Sequence, residues 1–92
     1  MNEPITDNTA QHRYELQVEG TTAYVAYSRA PGTITLNHTI VPEAFAGQGI
    51  GSRLAKFVLD TARERGDKVI VRCSFIAAYL KKHPEYNELV VH

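Results

Sequence analysis

The sequence is poor in several things, and each shortage excludes something. There is one cysteine, Cys73, so no internal disulfide can form and a reducing compartment is expected. Neither sign of charge is in excess: ten Lys and Arg balance ten Asp and Glu. A general nucleic-acid binder normally carries a basic surplus, so binding of nucleic acid is not expected. No run approaches the roughly 18 to 20 apolar residues of a membrane span. The opening MNEPITDNTAQH has neither a basic start nor an apolar run, so it is not expected to act as a signal peptide. There are no internal repeats and no low-complexity linker. These shortages point to a soluble, cytoplasmic protein with no membrane partner.

What is present is an ordinary globular balance, 43% hydrophobic and 22% charged over 92 residues. That length suits one core. Residues 1–11 are polar and are expected to form a loose, flexible arm before a single domain at 12–92. RYELQVEG alternates Tyr14, Leu16 and Val18 with polar residues, the period of a half-buried strand. Gly20-Thr21 is a turn candidate, and TAYVAYSRA reads as the partner strand. Pro31-Gly32 marks the next turn. TITLNHTIV follows as a third strand, with Ile34, Leu36, His38 and Ile40 expected on one face. Pro42 ends it.

From Ile50 the period changes. Ile50, Leu54, Phe57, Val58 and Ala62 recur at helical spacing, and Gly66 suits the helix end. KVIVRC reads as a short buried strand. Ser74 is a plausible cap for a helix through FIAAYLKK, stopped at His83-Pro84. NELVV reads as a last strand. The order β-β-β-α-β-α-β predicts an α+β fold: a mixed sheet with a right-handed parallel crossover, flanked by helices.

Between the third strand and the first helix lies FAGQGIGSRLAKF, with Gly47, Gly49 and Gly51 at alternate positions. Glycine costs backbone entropy, so three together need a reason. The first turn of a helix leaves backbone N–H groups without partners, and no Ser, Thr, Asp or Asn stands just before Ile50 to take one. Glycines let the backbone bend and let a ligand approach, so loop and helix start suit a phosphate or pyrophosphate. A tight strand-to-helix turn is the plainer explanation. The spacing is neither that of a P-loop nor that of a dinucleotide fingerprint.

The segment VPEAFAGQGIGSRLAKFVLDTARERG resembles the acetyl-CoA-binding segment of the GNAT acetyltransferase superfamily. With NHTIVPE, RCSFIAAYLKKHPEY and ELV, it makes the chain from about Arg13 to Val91 similar to very small, single-domain members of that superfamily. The resemblance implies a minimal GNAT fold with acetyl-CoA between two splayed parallel strands, at 33–41 and 68–73. The pyrophosphate of coenzyme A would meet Gly47, Gln48, Gly49, Ile50 and Gly51, with Ser52 beside them. The pantetheine arm would pair with the backbone near Ile40 and Val41. Ala46 occupies the first motif position, where the superfamily uses Gln or Arg. The two helices that full-length members carry after the first strand have no room between Gly20 and Thr21.

Acetyl transfer to an amine needs a base, donors for the oxyanion and a proton for the leaving thiolate. The resemblance sets Tyr79 at the position of a proton-donating tyrosine, although Phe75, Ile76, Tyr79 and Leu80 also share the spacing of a core face. Cys73 stands at the carboxyl end of a strand and before a helix, as a nucleophile or as a small buried hydrophobe. His38 is a natural base, or a core histidine. His12, His83 and His92 with Cys73 lack metal-site spacing, so no metal is expected. The implied activity is N-acetyl transfer from acetyl-CoA to an unknown amine acceptor, a protein amine being one option. A CoA-binding module without catalysis and a plain interaction domain are the alternatives.

Overall fold

The computed structural model describes residues 4–45 and 47–91. Five strands, β1 (Ile5–Asn8), β2 (Arg13–Val18), β3 (Thr21–Ala30), β4 (Thr33–Ile40) and β5 (Lys68–Val71), form one sheet in sequential order. The first four run antiparallel and β5 lies parallel to β4. Helix α1 (Ile50–Arg65) makes the crossover, and α2 (Ser74–Lys82) packs beside it. The mixed α+β sheet expected from the sequence is the fold observed.

Alternation explains the layers. Tyr14 and Leu16 of β2 lie opposite Val25 and Ala23 of β3, and all four are buried. They meet Leu54, Ala55, Val58 and Leu59 of α1 and Ile76 and Leu80 of α2 in a single core. Phe57, expected on that helical face, is 37% exposed, with its ring edge-on to that of Tyr14. At the far end of α1, Gly66 and Asp67 both donate backbone N–H bonds back into the last turn.

Three expectations are corrected. Residues 5–8, assigned to a loose arm, form an edge strand on β2. Only Ile5 there is apolar, and the strand is held by its ladder and by the Tyr27 hydroxyl, which donates to Asp7 at 2.5 Å. NELVV is not a strand: Pro84–Leu89 coils as a 3-10 helix, and only Val90 makes a parallel bridge to Val69. Pro84 fixes its own φ in the helical range and so starts that turn. Cys73, not Ser74, is the N-cap residue of α2, and no side chain caps it.

The fourth difference reshapes the site. Ala26 of β3 pairs with His38, but the next residue, Tyr27, pairs with Leu36. Asn37 is therefore an extra residue, a β-bulge that reverses the alternation of β4. Before it, Ile34 and Leu36 point into the core. After it, Thr39 lies opposite the buried Val25, while His38 and Ile40 lie opposite Ala26 and Tyr24 on the outer face.

Candidate active site

The pairing of β4 with β5 runs from Thr33 and Lys68 to Leu36 and Val71, and Arg72 N–H adds a last bond to Leu36 C=O at 2.9 Å. Beyond Leu36 the two strands part. β4 continues to Ile40, paired only with β3, while the chain after β5 turns into α2. The start of α1 faces the gap. Together they enclose a cleft of about 360 Å³ lined by Thr39, Val41, Phe45, Gly47, Gly49, Ile50, Gly51, Ser52 and Phe75.

The first helical hydrogen bond of α1 is donated by Arg53 N–H to Gly49 C=O at 3.0 Å. The N–H groups of Ile50, Gly51 and Ser52 come before it and have no partner within the helix. No acidic side chain stands in this first turn, and no side chain caps it. The helix dipole makes this end positive.

The three glycines have two different reasons. Gly47 and Gly49 have φ of +84° and +77°, left-handed values that side chains rarely adopt, and the space where a Cβ would stand is open. They shape the loop and leave it bare. Gly51 is ordinary helix, but a Cβ there would lie 2.6 Å from Cζ of Phe75. Its reason is the close approach of the Phe75 ring, on α2, to α1.

Of the residues predicted to hold the cofactor, Val41, Gly47, Gly49, Ile50, Gly51 and Ser52 line the cleft. Ile40 is 44% exposed on the outer face, and Gln48 is exposed outside the lining. Ala46 lies outside the described residues. Thr39, Phe45 and Phe75 line the cleft and were not foreseen. The aromatic pair gave a sequence signal, since each flanks the glycine loop or the strand end; Thr39 gave none without the bulge.

The three candidate catalytic residues do not converge. Cys73 is buried, and its Sγ lies 3.1 Å from Oγ1 of Thr39, so it stands behind the cleft wall. The bulge has given Thr39 the place that strict alternation assigned to His38. His38 is exposed on the opposite face, edge-on to Tyr24 at 6.4 Å between ring centroids. His38 and Cys73 therefore lie on opposite faces of the sheet.

Tyr79 lies farther along α2. It lines a smaller recess of about 120 Å³ with Ser52, Phe75, Ala78 and Lys82, and its ring stacks on His83 at 4.1 Å. Burial pushes the Tyr79 phenol up; the Lys56 charge opposes this, and the Asp60 and Glu85 charges reinforce it. The phenol is therefore neutral and has a proton to give at physiological pH.

A larger hollow of about 510 Å³ lies on the far side of α2, lined by Val71, Ala77, Leu80, Lys81, Pro84, Asn87, Val90 and Val91. It contains neither the helix start nor the glycines, so volume alone does not mark the site. Among the described residues no group of three or more His, Cys, Asp or Glu side chains is arranged to hold a metal ion.

Comparison with known proteins agrees with this geometry. The family profile of the GCN5-related N-acetyl-transferases matches residues 13–89. The solution structure of a GCN5-like protein from Staphylococcus aureus superposes with a TM-score of 0.75 at 29% identity, covering 98% of this chain and 89% of that one. Protein NATD1 of Danio rerio is 39% identical over 62 residues, 65% of this chain and 56% of that protein. Protein NATD1 of Xenopus tropicalis is 42% identical over 52 residues, 56% of this chain and 48% of that protein. The chain thus matches about half the length of these relatives.

Proposed function

The chain belongs to the GCN5-related N-acetyltransferase family, and from that premise we propose that it binds acetyl-CoA in the cleft between β4 and α1 and transfers the acetyl group to an amine. The observation that carries this reading is the parting of β4 and β5 directly in front of a helix start that is bare, uncapped and free of acidic side chains. A pyrophosphate there would take hydrogen bonds from the N–H groups of Ile50, Gly51 and Ser52 in the field of the helix dipole. The unpaired flank of β4 near Thr39 and Val41 suits the amides of a pantetheine arm.

Transfer forms an amide C–N bond and breaks the thioester C–S bond. The amine gives up one proton and the sulfur of coenzyme A gains one. We assign the second proton to Tyr79, whose phenol is held neutral, and a role in transfer to Cys73, fixed by Thr39 at the inner wall. His38 receives no role, because it faces away from both. The direct link between β2 and β3, Val18 to Thr21, leaves the acceptor side uncovered, which suits a large acceptor such as a protein amine. The single free cysteine suits a reducing, cytoplasmic setting.

The test is release of free CoA from acetyl-CoA in the presence of candidate amine acceptors. Cys73→Ala is expected to lower acceptor-dependent release at least tenfold, about 1.4 kcal/mol in the barrier, with CoA binding retained. Unchanged turnover would remove Cys73 from the mechanism. One observation favours a second reading, a CoA-binding module without turnover: Cys73 is buried behind Thr39 with no histidine beside it. Binding of CoA with no acceptor-dependent release would establish that reading instead.

A further inference from the structure

The Tyr79 hydroxyl makes no hydrogen bond among the described residues, unlike those of Tyr14, Tyr27 and Tyr86, which are engaged by Arg29, Asp7 and Asp60. A hydroxyl without a partner is free to give its proton, but it cannot fix its own ring. The side chain is only half-buried. Its choice among rotamers must therefore come from contacts on the faces of the ring. His83 covers one face. Side chains four positions apart on a helix are neighbours, and here the rings stack 4.1 Å apart at 21°. On the side of α1, the Tyr86 ring stands 6.4 Å off, with its hydroxyl tied to Asp60.

His83 is itself well held. Its backbone N–H donates to Leu80 C=O at 3.1 Å, and its C=O accepts from Tyr86 N–H at 3.2 Å. Its Nδ1 lies 3.4 Å from Oε2 of Glu85. Pro84 disfavours the helical conformation for the residue before it, and His83 has φ −133° and ψ 69°. We propose that His83 is a positioning residue: its ring, stacked on Tyr79, holds the phenol in the recess that meets the cleft at Ser52 and Phe75. This rests on the assignment of the leaving proton to Tyr79 and deepens it. The turn that ends α2 thereby also aims the proton donor. The stack uses the flat face of the imidazole, so a phenyl ring serves in its place.

The experiment measures CoA release from acetyl-CoA with lysine, spermidine and polylysine as amine acceptors. It compares the natural chain with His83→Ala, His83→Leu, His83→Phe and Tyr79→Phe, and with His83→Ala in the Tyr79→Phe background. His83→Leu fills the same space without a ring, which keeps the test open if His83→Ala fails to fold. His83→Ala and His83→Leu are expected to lower kcat about fivefold, with KM for acetyl-CoA unchanged. His83→Phe is expected to restore most of the loss. In the Tyr79→Phe background His83→Ala should cost nothing more, because the donor is already gone. Spectra of tyrosine-labelled protein give a readout that needs no turnover: the Tyr79 ring signals are expected to move in His83→Ala and His83→Leu. Unmoved signals, no rescue by His83→Phe, or an equal loss in both backgrounds would overturn the positioning role. If Tyr79→Phe slows transfer and the His83 variants do not, that role alone falls. If Tyr79→Phe is as fast as the natural chain, or no acceptor releases CoA, the assignment of Tyr79 falls with it.

Discussion

Replacing Gly51 by Ala separates packing from backbone conformation. A Cβ built at Gly51 meets three atoms of the Phe75 ring, at 2.6, 3.0 and 3.2 Å. Ordinary contact begins at 3.4 Å, so the ring must retreat by roughly 0.8 Å. It is free to do so in part, being 40% exposed. Against this, alanine in a helix is favoured over glycine by about 0.5–1 kcal/mol. In the natural background the two effects oppose each other, and the net change in stability is expected to lie within about 1 kcal/mol of zero. With Phe75→Ala already in place the clash is gone and the helical gain remains, so Gly51→Ala should then stabilise. The expected coupling between the two replacements is about 1 kcal/mol, or about 4–8 °C in the difference of melting shifts for a domain of this size. Thermal melts of the four variants measure it. CoA titration of the single variant adds a second readout, because Phe75 lines both hollows and a displaced ring is expected to weaken binding. Equal melting shifts for Gly51→Ala in the two backgrounds would refute the argument that the ring is why glycine stands there.

Two other perturbations follow from the same geometry. Gly49→Ala places a side chain at φ +77° in open space, so it is expected to cost about 1–2 kcal/mol of stability, read as a lower melting temperature, while the cleft stays unobstructed; a variant as stable as the natural chain would contradict this. Burial, followed by its hydrogen bond to Asp7, pushes the Tyr27 phenol up to about 12, against the opposing contact with Arg29. The folded chain thus favours the neutral phenol, and this contribution is present below pH 10 and lost as pH rises from about 10 to 12. Tyr27→Phe is expected to melt with a shallower alkaline decline between pH 9 and 11.5, and a decline as steep as the natural chain's would count against the assignment.

How much of this was legible in the sequence depended on how many residues carried each signal. α1 spreads its pattern over sixteen residues with a glycine at each end, and β2 and β3 alternate cleanly on one buried face. β1 has a single inward apolar residue, Ile5, and its other inward group is Asp7, whose bond to Tyr27 is a contact across twenty positions. No local pattern encodes such a contact. In NELVV the valines are apolar enough for a strand, but Pro84 starts a tight coil just before them, so contact with β5 shrinks to one bridge, between Val90 and Val69, with Val91 N–H donating to Val69 C=O. The glycine loop was visible as a site, yet its glycines looked alike; only the position of Phe75 on another helix separates Gly51 from Gly47 and Gly49.

The bulge at Asn37 explains why strict alternation misplaces His38. Alternation is the strongest rule for a strand, and one extra residue inverts it for everything downstream. Applied strictly to β4, the rule puts His38 beside Ile34 and Leu36 and therefore within reach of Cys73. With Asn37 inserted, the same rule puts Thr39 there and turns His38 to solvent. The insertion falls one residue after the last β4–β5 pair, at Leu36 and Val71. So the place where the strand changes face is also the place where the two parallel strands part. One residue thereby opens the cleft, lines its inner end with a hydroxyl and removes the histidine from it. A site whose geometry depends on that single residue is expected to follow the bulge, not the identity of position 38: the side chain facing Cys73 is whichever one stands two residues beyond the insertion.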